Sequence, residues 1–214
     1  MRLGLFGGSF NPIHAGHLRV ALRALAELRL DEVRVIPDKA NPFKIAAPPV
    51  PEFFSDAVRW ELVRAACEGI PALVPDDLEL ARGGTSYAID TVREIAAENS
   101  GAELFFVVGE DSVAGLPRWK DYEELKRLCT FVPFPRTPES STEIRELFAS
   151  AKVGLNPDAK MVETVRAGLM RKGGFCPCRL PKNPEFFCPC DEFKAQMRDP
   201  GYHGLCHCRL YLKP

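Results

Sequence analysis

Gly7-Gly8-Ser9-Phe10-Asn11-Pro12-Ile13-His14-Ala15-Gly16-His17-Leu18 follows directly on the apolar run Leu3-Gly4-Leu5-Phe6. An apolar run, a Gly-rich stretch and then periodic apolar spacing predict a strand, a tight turn and the first turn of a helix. Glycines let a ligand approach the backbone closely, and a helix N-terminus offers unpaired N–H groups and a positive dipole end. His14 and His17, at i and i+3, fall on one side of that first turn, so both can reach one anion. The same pieces taken separately would make a plain βα turn with two surface histidines. Gly-Gly-Ser-Phe and His-x-Gly-His together, at such a junction, point instead to a nucleotide phosphate.

Outward from this junction, β-type apolar runs at 3–6, 33–36, 104–108 and 130–134 alternate with helical patterns at 16–28, 55–67, 87–98, 122–128 and 142–149. Such alternation predicts an α/β fold, a Rossmann-like parallel sheet with helices on both faces. Ligands of these sheets bind at the carboxyl ends of the strands, where the Gly7-Gly8 turn falls. The segment 38–52, holding Pro42, Pro48, Pro49 and Pro51, predicts a loop. Its Lys39 and Lys44 either fold over a phosphate or face solvent.

Apolar residues at 46% and charged residues at 27% describe an ordinary globular chain, and a formal charge of −1 argues against a nucleic-acid-binding protein. No stretch reaches the roughly 18 apolar residues of a membrane span, and the run after Met1-Arg2 is too short for a signal-peptide core. The expected location is the cytoplasm. Gly154 and Asn156-Pro157 break the alternating pattern, which predicts a first domain over 1–155 and a second over 156–214. A helix is expected at 158–172, with Asp158 as N-cap and Gly173-Gly174 as its stop. Cys67 and Cys129 sit in apolar patterns that suggest core positions.

Further pieces extend the opening motif. Gly83-Gly84-Thr85-Ser86-Tyr87-Ala88-Ile89-Asp90-Thr91 is a turn entering a helix, suited to presenting backbone and hydroxyl groups. Val107-Val108-Gly109-Glu110-Asp111-Ser112 ends a buried strand in a Gly turn and acidic residues, well placed for ribose hydroxyls. Leu116-Pro117-Arg118-Trp119 puts an aromatic plane in a loop, as a stacking surface or a hydrophobic anchor. Ser140-Ser141-Thr142-Glu143-Ile144-Arg145 carries a capping-box pattern, so hydroxyls, N–H groups and a guanidinium converge at one helix start.

Together these residues resemble the bacterial nicotinate (or nicotinamide) mononucleotide adenylyltransferases of the His-x-Gly-His nucleotidyltransferase superfamily. The resemblance covers about residues 1–155. It implies transfer of AMP from ATP to the phosphate of nicotinate mononucleotide, giving the dinucleotide precursor of NAD and pyrophosphate, with Mg²⁺. It further implies that His14, His17, Ser141, Thr142 and Arg145, helped by Lys44, hold ATP phosphates beside Gly8, Ser9 and Phe10. Gly109 and Asp111 would meet the adenosine, while Thr85, Tyr87 and Trp119, with Asp90 in the same motif, would meet the pyridine nucleotide. The attacking phosphate is already a nucleophile, so catalysis is alignment plus charge neutralisation. The chain departs from the pattern near 136–140, where Thr137-Pro138-Glu139 replaces a long stretch containing a further strand. The closing segment after the Arg145 helix is absent as well.

Six cysteines fall within 33 residues, as Cys176-Pro-Cys178, Cys188-Pro-Cys190 and Cys206-His-Cys208. In a reducing compartment this density points to metal or redox chemistry. Four thiolates and a leftover pair suit a [4Fe–4S] cluster beside a redox dithiol, and a zinc site with two spare thiols is the alternative. The run resembles the catalytic subunit of ferredoxin–thioredoxin reductase. That resemblance implies a small helix-and-loop iron–sulfur domain with Cys176, Cys188, Cys190 and Cys206 as cluster ligands. It makes Cys178 and Cys208 the active disulfide and His207 their proton partner, with ferredoxin and a thioredoxin-like disulfide protein as partners. The expected function is nucleotidyl transfer with an attached disulfide reductase. The alternative is an iron–sulfur disulfide reductase carrying a catalytically impaired nucleotide-binding domain.

Overall fold

Strand β1, Arg2–Gly8, has almost no polar side chain to place in water and lies at the centre of the sheet. A computed structural model describes residues 1–45, 55–135, 140–181 and 183–214. The shortened connection expected near 136–140 falls largely on 136–139, outside the described residues. From β1 the chain runs through α1 (Ala15–Glu27), β2 (Glu32–Pro37), the single turn α2 (Pro42–Ile45) and α3 (Asp56–Cys67). It continues through β3 (Leu73–Pro75), α4 (Leu78–Arg82), α5 (Ala88–Glu98) and β4 (Glu103–Gly109), then a 3₁₀ stretch, Glu110–Arg118, before α6 (Tyr122–Leu128) and β5 (Thr130–Phe134).

The five strands pair in parallel in the order β3-β2-β1-β4-β5, the α/β sheet expected from the alternation. Side chains of a strand alternate between faces, so β1 and β4 feed two cores. Leu3, Leu5, Leu104, Phe106 and Val108 pack under Ile89, Val92 and Ile95 of α5 and Leu125 of α6. Phe6, Phe105 and Val107 pack on the other face with Leu18 and Ala21 of α1 and Val63 of α3. Cys67 and Cys129 are buried, and burial raises both thiols to about 12. The strand order reverses between β1 and β4, and a crevice opens there at the carboxyl ends.

After β5 come α7 (Ser141–Ser150), β6 (Gly154–Leu155), α8 (Ala159–Arg171), α9 (Asp191–Arg198), β7 (Gly204–Leu205) and β8 (Tyr211–Lys213). The carboxylate of Asp158 accepts from the Met161 N–H at 3.1 Å, capping α8 as expected. Gly173 and Gly174, both at positive φ, end it. Beyond the expected helix and loops, β6, β8 and β7 form a small antiparallel sheet, whose strands of two or three residues are too short to leave an alternating pattern. A third core holds Ile144 and Phe148 of α7 with Val165 and Leu169 of α8, Phe193 and Met197 of α9, Leu210, Tyr211 and three cysteines. Among the described residues no helix is long and apolar enough to cross a membrane.

Candidate active site

Gly7 and Gly8, expected in the turn, instead end strand β1 because both continue its parallel pairing with β2, and the turn follows over residues 9–12. A Cβ on Gly8 would stand 3.1 Å from the Phe10 ring, which is buried edge-on against Phe6. Phe10 itself adopts φ +41, a strained region for a bulky residue, held by that packing. The turn delivers the chain to His14, whose extended backbone caps α1. The two imidazoles stack with centroids 3.7 Å apart, and Phe10 meets the His17 ring edge-on at 5.0 Å. The His14 N–H donates to Nδ1 of His17 at 3.1 Å. A neutral His17 therefore carries its proton on Nε2 and presents a fixed donor away from the helix.

Helix α7 arrives from the other side. The Ser140 hydroxyl accepts from the Glu143 N–H at 3.4 Å, the cap that its sequence announces. The Ser141 hydroxyl donates to the Pro12 carbonyl at 2.9 Å, and the Arg145 guanidinium donates to the Asn11 carbonyl at 2.7 Å. Two helix N-termini and the turn after β1 thus line a cavity of about 450 Å³, and its wall includes Gly8, Ser9, Phe10, His14, His17, Gly109, Asp111, Ser141, Thr142 and Arg145. Every one of these ten is a residue that the sequence singled out. Among the described residues, Asn11 Oδ1, His14 Nδ1 and Arg145 Nε are buried without a hydrogen-bond partner. Buried polar atoms are rarely left so, and three around one cavity mark a place built for a polar ligand.

A second cavity of about 450 Å³ adjoins the first and shares Gly7, Gly8, Asn41, Val108, Gly109 and Ser112 with it. Its character is aromatic with charges of both signs: Phe43, Tyr87, Phe106 and Trp119 line it, with Arg118 and Lys120 set against Asp38 and Glu79. Trp119 is anchored edge-on by Phe106 and Phe131, so it is both a packed side chain and a cavity wall. Lys120 lies 4.5 Å over the Tyr87 ring. Thr85 sits just before the lining residues Ser86 and Tyr87 and lies outside both cavity walls. Asp90 also lies outside them, half-buried in the first turn of α5, 3.4 Å from Lys120 and 3.6 Å from Arg93. The Lys44 side chain falls outside the described residues.

The sequence reading missed the buried frame beneath the turn. Arg59 of α3, 3% exposed, donates to the Ser9 carbonyl (2.7 Å), the Asp38 carbonyl (2.9 Å) and the Asp56 carboxylate (2.6 Å). Ser9 Oγ donates to Asp38 at 2.7 Å, and the Asp38 N–H donates to the Gly8 carbonyl at 2.9 Å. The Lys39 N–H donates to Ser86 Oγ at 2.8 Å, which ties in the 83–87 turn. Burial opposes the Asp56 charge, but hydrogen bonds from Lys39 and Arg59 outweigh it and lower its pKa. Glu79, buried and lining the second cavity, has its pKa raised by burial while it accepts from Thr91 at 2.6 Å. No local pattern announces Arg59 or Glu79, because, Asp56 apart, their partners are distant in the chain.

Burial lowers His14 to about 4, helped by the charges of Lys194 and Arg19, so it is neutral at pH 7. Between the unfolded value of 6.5 and about 4 the unfolded chain binds a proton that the folded chain refuses. Stability therefore falls as pH drops through that window, by about 3 kcal/mol in all from this group. Denaturant midpoints at pH 7 and pH 4.5 should separate by less in His14→Gln than in the parent chain. An identical separation would mean that His14 titrates normally.

The C-terminal cysteines also converge. Cys176, Cys188, Cys190, Cys206 and Cys208 surround one small cavity, while Cys178 and His207 are exposed beside it. Cys206 and Cys208 sulfurs are 3.6 Å apart. A hydrogen bond from Cys208 is the main cause that lowers Cys176 and Cys206 to about 6, and those same bonds push Cys208 up. Burial raises Cys188, Cys190 and Cys178. Among the described residues no group of three or more His, Cys, Asp or Glu is arranged to hold a metal ion. The expected set Cys176, Cys188, Cys190 and Cys206 is thus gathered as packed thiols and not in ligating geometry.

Known proteins share the first part of this chain. Residues 5–163 match the model of the cytidylyltransferase-like family. A "probable nicotinate-nucleotide adenylyltransferase" of Citrifermentans bemidjiense is 40% identical over 154 residues, covering 72% of this chain and 69% of the relative. One of the same description from Shouchella clausii is 43% identical over 140 residues, covering 65% and 71%. Among solved structures, a nicotinate-nucleotide adenylyltransferase candidate from Vibrio parahaemolyticus superposes with TM-score 0.56 at 23% identity, over 70% of this chain and 83% of that one. The Plasmodium falciparum nicotinic acid mononucleotide adenylyltransferase complexed with NaAD does so with TM-score 0.52 at 16% identity, over 69% and 83%. These likenesses carry the fold, and the closer relatives carry the lineage: the chain belongs to the cytidylyltransferase-like family.

Proposed function

We propose that the chain transfers AMP from ATP to nicotinate mononucleotide, releasing pyrophosphate and forming nicotinate adenine dinucleotide. The observation that carries this reading is the pair of adjoining cavities, one lined by helix N-termini, histidines and Arg145 and one walled by aromatic rings, sharing the wall around Gly7, Gly8 and Gly109. ATP lies in the first, its phosphates against the α1 N-terminus, His14, His17, Ser141, Thr142 and Arg145. The adenosine lies toward Gly109 and Asp111. The mononucleotide lies between Tyr87 and Trp119, with its phosphate toward the shared wall. A phosphate oxygen attacks the α-phosphorus of ATP, a new P–O bond forms, and the bond to pyrophosphate breaks with its electron pair leaving on oxygen. His17 Nε2–H, the Arg145 guanidinium and the α1 N–H groups stabilise the charge that develops on those oxygens. Mg²⁺ bound to ATP would neutralise charge on the phosphates. Pyrophosphate release from ATP and Mg²⁺ tests the reading: turnover is expected with nicotinate mononucleotide, more slowly with nicotinamide mononucleotide. Silence with both overturns it.

For residues 156–214 we propose a second activity, reduction of a partner disulfide supported by a [4Fe–4S] cluster. Five thiols gathered at one place favour it. Cys176, Cys188, Cys190 and Cys206 would hold the cluster, four thiolates being the donor set that such clusters take. A bound cluster supplies electrons one at a time. Cys178 and Cys208 form the exchanging pair and His207 moves the proton. Reduction of a thioredoxin-like disulfide takes two electrons from ferredoxin and two protons from solvent. Protein purified without air should be brown and contain iron; a colourless, zinc-bearing or metal-free product overturns this activity.

A further inference from the structure

Helix α7 carries Ser141, Thr142 and Arg145 to the phosphate cavity, yet none of its described residues belongs to either core of the parallel sheet. Its apolar face, Ile144 and Phe148, lies in the third core with the C-terminal cysteines. The Phe148 ring stands edge-on to Tyr211, centroids 4.9 Å apart, and edge-on to Phe193 at 6.2 Å. Phe193 and Tyr211 stack on each other at 5.7 Å. A salt bridge from Arg198 to Glu143, at 2.6 Å, adds a contact at the rim. A ten-residue helix has little stability of its own, so packing decides where it sits. One face of α7 therefore answers to the Asn11-Pro12 loop of the nucleotide site, and the other to the aromatic trio.

That trio is joined directly to the thiols. The Tyr211 N–H donates to Cys206 Sγ at 3.3 Å, and the Cys206 N–H donates to the Tyr211 carbonyl at 2.9 Å. Cys190 caps the helix that bears Phe193. Among the described residues, the neighbouring cavity, assigned to the mononucleotide, is lined by none later than Lys120 and by none of α7, α8 or α9.

We propose, resting on the adenylyl-transfer reading above, that the thiol-lined core is a working part of the ATP site. Phe193 and Tyr211 are positioning residues that set Arg145, Ser141 and Thr142 through Phe148, so a change at Cys206 is felt as a change in ATP affinity. Coupling of this kind is reciprocal: ATP must in turn steady the thiol-lined core. The mononucleotide, which touches neither α7 nor that core, does not share the coupling.

The full chain and its Phe193→Ala and Phe193→Leu variants test this by calorimetry with ATP and Mg²⁺ and, separately, with nicotinate mononucleotide. Phe193→Ala is expected to weaken ATP about tenfold and to leave mononucleotide affinity unchanged, with Phe193→Leu recovering most of the loss. A second measurement needs no variant. Saturating ATP and Mg²⁺ should slow hydrogen exchange at the Cys206 and Tyr211 amides, and nicotinate mononucleotide should not. Unchanged ATP affinity in Phe193→Ala, equal loss of both ligands, or unaltered exchange on adding ATP each overturns the coupling. Wild-type chain that binds no ATP overturns the adenylyl-transfer reading as well, whereas unchanged ATP affinity in the variant leaves that reading standing.

Discussion

His17→Ala lowers kcat/KM for adenylyl transfer by about a hundredfold to a thousandfold, the cost of losing one preorganised donor to a developing oxyanion. The size follows from how firmly the ring is held. Phe10 meets it edge-on at 5.0 Å, His14 stacks on it at 3.7 Å, and the His14 N–H occupies Nδ1. The remaining nitrogen therefore points one way with one proton and needs no reorganisation during reaction. Alanine leaves the α1 N–H groups in place, so ATP binding weakens less than turnover does. Steady-state kinetics with circular dichroism as a fold control check this. Turnover equal to the parent chain would remove His17 from the reacting centre.

Arg59→Ala is the second large effect, and it acts on the fold. The guanidinium is nearly fully buried and satisfies two backbone carbonyls and the Asp56 carboxylate. Removing it leaves the buried Ser9 and Asp38 carbonyls without that donor, while Asp56 keeps Lys39, which costs about 3–5 kcal/mol. For a chain of this length that is a fall in Tm of about 10 °C. Arg59→Lys keeps the charge but cannot span three acceptors with one ammonium, so it recovers only part of the loss. Arg64, exposed on the same helix, is the control, and its alanine variant should stay within about 0.5 kcal/mol of the parent chain. A melting curve for Arg59→Ala that overlays the parent would show the frame beneath the Ser9-Phe10 turn to be dispensable.

The elements that local pattern reveals are those with one apolar face or a capping residue of their own. The strand at 130–134 and the helix at 122–128 fall where periodicity put them, and Ser55, Ser140 and Asp158 cap the helices they precede. Strand β3 went unseen because three residues ending in proline leave no period to read. The 3₁₀ stretch at Glu110–Arg118 was read only as a turn and a loop, since Gly115 and Pro117 interrupt any helical run. Asp90 reads as a site residue from its neighbours Thr85 and Tyr87; it is half-buried on α5 beside Arg93 and Lys120, outside both cavity walls but paired with a residue that lines one of them. A motif marks a stretch of chain, whereas side-chain direction depends on how that helix rolls against the sheet.

What the sequence determined by itself is local and covalent: a strand, a connection and a helix start that place two histidines one helical turn apart, and six cysteines in three close pairs. These follow from backbone sterics, from periodicity and from spacing, none of which needs a distant partner. Only the tertiary structure decided that Arg59 reaches back fifty residues to the Ser9 carbonyl. It also decided that Thr85 stands outside the cavity walls, and that α7 packs on Phe193 and Tyr211 and not on the sheet. Those outcomes rest on which buried surfaces meet after the chain has closed on itself. Burial, being non-directional, is written into no single stretch of residues.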